Sequence, residues 1–295
     1  MIVAKFGGSS LADAKQFQKV RAIVTSDERR RVVVPSAPGK RFSDDDKITD
    51  MLYYCFYARQ RGDDFDAMFQ KISERYWEIA QELSLSVNLQ PYLEEIHAQI
   101  VAGANADYCA SRGEYLNGIL LANYLGFRFL DAAEVIFFDK NGVLDSEKTN
   151  RRLAKRLTAE LPVVLPGFYG SDAHGNIRVF SRGGSDITGA LAARACEAEV
   201  YENWTDVSGF LMADPRIVSN PLPIRHVTYH EMHALASAGA TVLHEDSVAP
   251  VSQDGIPTQI RNTNDPTHPG TLITSTAVRR ENFSIFAGIA GKKGY

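Results

Sequence analysis

Cysteine is scarce in this 295-residue chain, and the three present, Cys55, Cys109 and Cys196, lie far apart with no Cys-x-x-Cys pair. That spacing excludes a disulfide framework and a cysteine zinc site, and predicts buried thiols in a reducing compartment. Basic residues are not in excess: 32 Lys and Arg against 36 Asp and Glu give a net charge of −4. A nucleic-acid-binding surface is therefore not expected. No apolar run approaches the ~20 residues of a membrane helix. The start, Met1 to Gly8, runs into a glycine turn, unlike a secretory signal. A cytoplasmic protein with no membrane partner is the expectation. Also missing are G-x-x-x-x-G-K-[ST], G-x-G-x-x-G and G-x-S-x-G, so a Walker loop, a dinucleotide fingerprint and a hydrolase elbow are not expected. His230-Glu231-Met232-His233 lacks the i,i+4 histidine spacing of a zinc helix, and no metal-ligating residues are assigned.

What is present is alternation. Short apolar runs at 2–6, 31–35, 127–130, 162–166, 200–204 and 258–260 predict strands. Most are apolar on both faces, as in a sheet covered on both sides. Between them the periodicity predicts helices around 12–25, 47–60, 64–84, 91–103, 112–125, 149–160, 186–197 and 229–238. The last opens with the capping box Thr228…Glu231 and closes at Gly239. This pattern predicts an α/β fold with a mainly parallel sheet. Residues 47–125 read as an inserted helical layer, and a second lobe begins near Pro166-Gly167-Phe168.

Two glycine turns carry chemistry. Lys5-Phe6-Gly7-Gly8-Ser9-Ser10 follows the first strand, where helix N-termini and loop amides gather in parallel sheets. Its glycines let backbone N–H groups approach an anion and Lys5 adds a positive charge; a plain βα turn with a snorkelling lysine is the alternative. Ser181-Arg182-Gly183-Gly184-Ser185-Asp186 opens a helix with a cation, a hydroxyl and a carboxylate, more than capping requires. Two such turns predict a ligand with several anionic groups. Thr205-Asp206 ends a buried strand, and Asp214-Pro215-Arg216 follows in what could equally be turn chemistry.

Taken in order, these motifs resemble the aspartate kinases. The resemblance rests on Lys5–Ser10, Ser36-Ala37-Pro38-Gly39-Lys40, Arg112-Gly113-Glu114, Pro166-Gly167-Phe168, Arg182–Asp186, Trp204-Thr205-Asp206-Val207, Asp214-Pro215-Arg216 and Val242-Leu243-His244. It covers roughly residues 1–275. It implies the amino-acid kinase superfamily, a three-layer αβα sandwich. The implied N-terminal substrate lobe spans residues 1–165 and the nucleotide lobe 166–275. Residues 276–295 read as a linker into a missing regulatory region.

The implied reaction takes ATP and L-aspartate to 4-phospho-L-aspartate and ADP, at the entry to lysine, threonine and methionine synthesis. In that reading Lys5 stabilises the transferring phosphoryl group and Asp186 organises it. Ser36, Glu114, Arg182 and Ser185 bind the amino acid, with Glu114 taking its ammonium. Gly7, Gly8, Ser9, Thr205, Asp206 and Arg216 join Lys5 around ATP, and Mg2+ is held mainly by phosphates and water. A homodimer is expected, weaker without the C-terminal region. Thr241 and Leu211 depart from the family's usual Lys and Tyr. The alternatives are a related kinase acting on glutamate, N-acetylglutamate or a nucleoside monophosphate, or a catalytically weak sensor.

Overall fold

The computed structural model describes residues 1–213, 217–237, 243 and 245–276. The chain forms twelve strands among these residues: β1 (Ile2–Phe6), β2 (Arg30–Pro35), β3 (Arg128–Phe129), β4 (Val163–Val164), β5 (Tyr169–Ser171), β6 (Ile177–Val179), β7 (Val200–Thr205), β8 (Phe210–Leu211), β9 (Pro223–Ile224), β10 (His226–Thr228), β11 (Thr258–Asn262) and β12 (Thr271–Thr274). Eight of them make one sheet in the order β10-β12-β11-β7-β1-β2-β4-β3. Its pairs are parallel except β11 with β12. The other four form two small hairpins, β5–β6 and β8–β9.

Alternation along the central strands sorts the side chains into two cores. Val3, Val32 and Val34 enter one, whereas Ala4, Phe6 and Val33 enter the other. The second core is roofed by α1 (Ala14–Thr25), α2 (Ile48–Arg61), α3 (Asp66–Glu82), α4 (Gln90–Val101) and α5 (Ala106–Leu125). The first is covered by α6 (Ser146–Glu160), α7 (Gly184–Ala195), α8 (Tyr229–Ser237) and α9 (Glu245–Gln253). This is the expected three-layer αβα sandwich, with residues 48–125 supplying much of one outer layer.

All six predicted strands form. Boundaries moved where a cap outranked hydrophobic periodicity. The helix expected from residue 112 starts at Ala106 because the Asn105 side chain accepts from the Tyr108 N–H at 2.8 Å. The helix expected from 149 starts at Ser146, where Asp145 accepts from the Lys148 N–H at 3.0 Å. The capping box is reciprocal: Thr228 N–H donates to Glu231 Oε2 at 2.8 Å, and Glu231 N–H to Thr228 Oγ1 at 3.1 Å. Its expected close at Gly239 lies outside the described residues, as do Thr241 and residues 277–295. The hairpins, β10, β12 and α9 were not predicted: most are too short for periodicity to register, and α9 carries Pro250 inside it.

Candidate active site

Lys5 is the fourth residue of β1 and follows Val3 onto the α7 side of the sheet. Its Nζ lies 2.6 Å from Asp186 Oδ1, in a pair that is largely buried. Asp186 stands in the first turn of α7, behind Gly183 at φ 58°, a left-handed position that suits glycine. Asp186 Oδ1 also accepts from Asn203 Nδ2 at 2.9 Å, from the neighbouring strand β7. Thus the cation of the first glycine turn and the carboxylate of the second meet at the carboxyl ends of β1 and β7.

The backbone beyond Lys5 is packed too tightly for a side chain at Gly8. A Cβ on Gly8 would sit 2.9 Å from the Ala37 carbonyl oxygen, whereas one on Gly7 would make only ordinary contact, 3.7 Å from Lys5 Nζ. Gly7 N–H donates to Trp204 O at 2.9 Å, and Ser9 is half-buried in the 3-10 turn Gly8–Leu11. Ser36–Gly39, which follows β2, therefore lies against this turn. Arg75 of α3 ties the two loops together. Its guanidinium donates to Ala12 O at 3.1 Å and Gly39 O at 3.3 Å, and pairs with Asp45 at 2.6 Å. Arg41 contacts the same carboxylate, and its hydrogen bonds hold Asp45 well below the usual carboxylate range. Sequence reasoning missed Arg75, Asp45 and Arg41; nothing in a helix's spacing marks an arginine that turns inward.

Helix α5 brings Glu114 beneath the second loop. Gly113 lets the helix close on it: a Cβ there would sit 2.9 Å from Ala37 Cβ. Asn117, one turn on, donates to Ser36 O at 2.6 Å. Glu114 is buried, and desolvation pushes its carboxyl up to about 8, opposed by the Ala37 N–H and more weakly by Arg112. Glu114 Oε2 and Asn117 Oδ1 are buried acceptors without a donor. Such orphaned atoms are costly and are satisfied by a ligand that donates hydrogen bonds. Arg112 points elsewhere: it stacks on Tyr108, Tyr115 and Tyr169 at 4.6, 4.5 and 5.2 Å and donates to Ser111 Oγ.

Ser185 is buried against Gly167, where a Cβ would lie 2.6 Å from its Oγ; Gly167 N–H in turn donates to Pro35 O at 3.0 Å. Pro166–Phe168 thereby links the Ser36 loop to the start of α7. Phe168 is left-handed at φ 81°, a strained choice for a non-glycine residue, and its amide donates to Thr188 Oγ1. Arg182 is exposed and makes no hydrogen bond or ion pair with a described residue. At the end of β7, Thr205 Oγ1 lies 3.1 Å from Asp206 Oδ1, and Asp206 is exposed. Arg216, with Asp214 and Pro215, lies outside the described residues. So Lys5, Gly7, Gly8, Ser36, Glu114, Ser185 and Asp186 belong to one connected set of contacts at the carboxyl ends of β1, β2 and β7. Thr205 and Asp206 close the neighbouring strand end.

The arrangement offers a buried cation beside a glycine loop for an anion, and two unsatisfied acceptors for a donor group. No cluster of three or more His, Cys, Asp or Glu able to hold a metal exists among the described residues. No helix of the described residues is long and apolar enough to cross a membrane.

Residues 1–262 match the amino acid kinase family. The whole chain aligns with 68% of the aspartokinase 3 of Bacillus subtilis at 35% identity. Among solved structures, the aspartate kinase of Clostridium acetobutylicum superposes with a TM-score of 0.92 at 51% identity, over 98% of this chain and 66% of that one. The E. coli aspartokinase III in complex with aspartate and ADP superposes at 0.82 and 28% identity, over 95% of this chain and 65% of its own. The chain spans about two thirds of the length of each of these relatives.

Proposed function

The chain belongs to the aspartokinases of the amino acid kinase family, and from that premise we propose that it transfers the γ-phosphoryl group of ATP to the side-chain carboxylate of L-aspartate. The products are 4-phospho-L-aspartate and ADP, at the entry to lysine, threonine and methionine biosynthesis. The observation that carries this reading is the Lys5–Asp186 pair set between two glycine turns, beside a buried acceptor that lacks a donor.

The nucleophile has an ordinary pKa near ~3.9 and is ionised at neutral pH, so the reaction needs no general base. Its obstacle is repulsion between a carboxylate and a polyanion. Lys5 cancels part of that charge at the transferring oxygens. Asp186 holds the lysine in place and has no proton to remove. Gly8 and Ser9 present amides to phosphate oxygens, Gly7, whose own N–H is held by Trp204 O, turns the loop toward them, and Thr205, Asp206 and Arg216 hold the nucleotide. Glu114 receives the α-ammonium and Arg182 pairs with the α-carboxylate, while Ser36 and Ser185 support the bound amino acid. Residues 1–165 serve the amino acid through Ser36 and Glu114, and 166–275 the nucleotide through Thr205, Asp206 and Arg216, while Lys5–Ser9 and Arg182–Ser185 each reach across to the other reactant.

Mg2+ supplies further neutralisation of the triphosphate. The absence, among the described residues, of a cluster of three or more His, Cys, Asp or Glu suits a cation carried by phosphates and water. The protein works in the cytoplasm as a homodimer.

The test is a hydroxylamine trap for acyl phosphate with MgATP, offering L-aspartate, L-glutamate and N-acetylglutamate side by side. Hydroxamate from aspartate alone, lost in Lys5→Ala, is the expected result. Hydroxamate from another acceptor, or none with any, would replace the assignment.

A further inference from the structure

We propose that Asn203 is a positioning residue for Lys5, acting through Asp186. The proposal rests on the reading of the Lys5–Asp186 site as a phosphoryl-transfer site. Lys5 and Asn203 are register partners on the adjacent parallel strands β1 and β7, so their side chains leave the same face of the sheet. Asp186 reaches between them from α7. One carboxylate oxygen, Oδ1, accepts from Lys5 Nζ at 2.6 Å and from Asn203 Nδ2 at 2.9 Å.

An asparagine in the middle of β7 needs a reason. The strand is flanked by β1 and β11, and Asn203 is 2% exposed. A carboxamide costs free energy there unless its hydrogen bonds are made. Its neighbour on the same face, Tyr201, is also fully buried, and its hydroxyl donates to the backbone oxygen of Asp186 at 3.1 Å. The ring packs against Gly189 of α7, where a Cβ would lie 2.6 Å away. Strand β7 therefore grips Asp186 twice, by its main chain and by its carboxylate.

The chemistry of the donor matters. A cation at 203 would compete with Lys5 for the carboxylate, and an acid would repel Asp186. An aliphatic side chain would leave the carboxylate free to change rotamer. A neutral amide fixes Asp186 without altering the charge balance of the Lys5 pair. Lys5 then meets the phosphoryl group from a preset position and needs no rearrangement during the reaction.

The experiment is a double-mutant cycle read by kinetics and crystallography. Asn203→Leu and the smaller Asn203→Ser are made in the wild-type chain and in Asp186→Ala. Expected is a fall in kcat on the order of tenfold to a hundredfold for each single Asn203 variant, with KM for aspartate and for ATP little changed. In the Asp186→Ala background the same substitutions should cost nothing further, because their route is already gone. Equal losses in both backgrounds would overturn the proposal, leaving Asn203 a packing residue of the sheet. The crystal structure of Asn203→Ser decides the matter without turnover. Asp186 should leave its 2.6 Å contact with Lys5 or adopt several rotamers; an unchanged pair overturns the proposal even if the wild-type chain proves inactive on aspartate. Wild-type inactivity by itself would count against the kinase reading alone.

Discussion

Gly8 and Gly39 lie back to back. The Gly39 N–H donates to the Gly8 carbonyl at 2.8 Å, and a Cβ on Gly39 would sit 2.6 Å from the Gly8 carbonyl carbon. The loop after β1 and the loop after β2 are thus one backbone-to-backbone unit, placed between the nucleotide and the amino acid of the proposed reaction. Gly39→Ala must push them apart. Overpacking of this kind costs about 1–3 kcal/mol of stability. The larger effect is expected in kcat, which should fall by roughly a hundredfold through misalignment of the two reactants. Thermal unfolding and steady-state kinetics on the variant check both; unaltered kcat would show that the two loops need not move together.

Glu114 gives a prediction in protons. With its carboxyl pushed up to about 8, it is mostly protonated at pH 7. An incoming ammonium favours the ionised form. Aspartate binding at pH 7 should therefore release close to one proton, seen by titration calorimetry in buffers of different ionisation enthalpy. Glu114→Gln should abolish the release. In the free protein a raised folded pKa means that stability falls as pH climbs from about 4.5 to about 8, where the unfolded chain ionises first. Glu114→Gln should flatten that part of the stability profile, provided no ligand is present.

Arg75 is expected to matter for the fold and for both reactants. It is buried, and it reaches carbonyls on two loops as well as Asp45. Arg75→Met should cost about 1–3 kcal/mol, since two loop carbonyls lose their donor while Asp45 keeps Arg41. Residual activity in the folded fraction should show raised KM for aspartate and ATP alike. A change confined to one substrate would mean that Arg75 supports only one loop.

Arg182 should behave in the opposite way. Exposed and free of described partners, it contributes little to stability, so Arg182→Ala should leave the melting temperature unchanged. Loss of a charge-assisted pair with the α-carboxylate should raise KM for aspartate roughly tenfold to a hundredfold. Activity indistinguishable from the parent chain would remove Arg182 from the substrate site.

Strands buried on both faces were the most readable part of the sequence, because a run such as Val32-Val33-Val34 has few other uses. The glycine turns were readable too, since two glycines beside Lys5 or Arg182 serve a backbone approach that other residues prevent. What stayed hidden was contact across sequence distance. Nothing local to Arg75 or Asn203 announces that the first meets Gly39 or that the second meets Asp186. Glu114 was singled out through its motif, but its elevated pKa arises from burial under a loop some eighty residues earlier in the chain. Strand β12 and helix α9 escaped because short elements, one with an internal proline, owe their form to the neighbours they pack on rather than to their own periodicity.

The place of β1 between β2 and β7 sets a schedule for the chain's birth. Residues 2–6 are made about 200 residues before the strand that completes their second edge, Val200–Thr205. At the usual pace of about 5–20 residues per second, Lys5 waits roughly 10–40 s before Asp186 and β7 can enclose it. Until then one edge of a strongly apolar strand is open to other nascent chains. The residue on which phosphoryl transfer is proposed to depend is thus enclosed only long after its own strand is made.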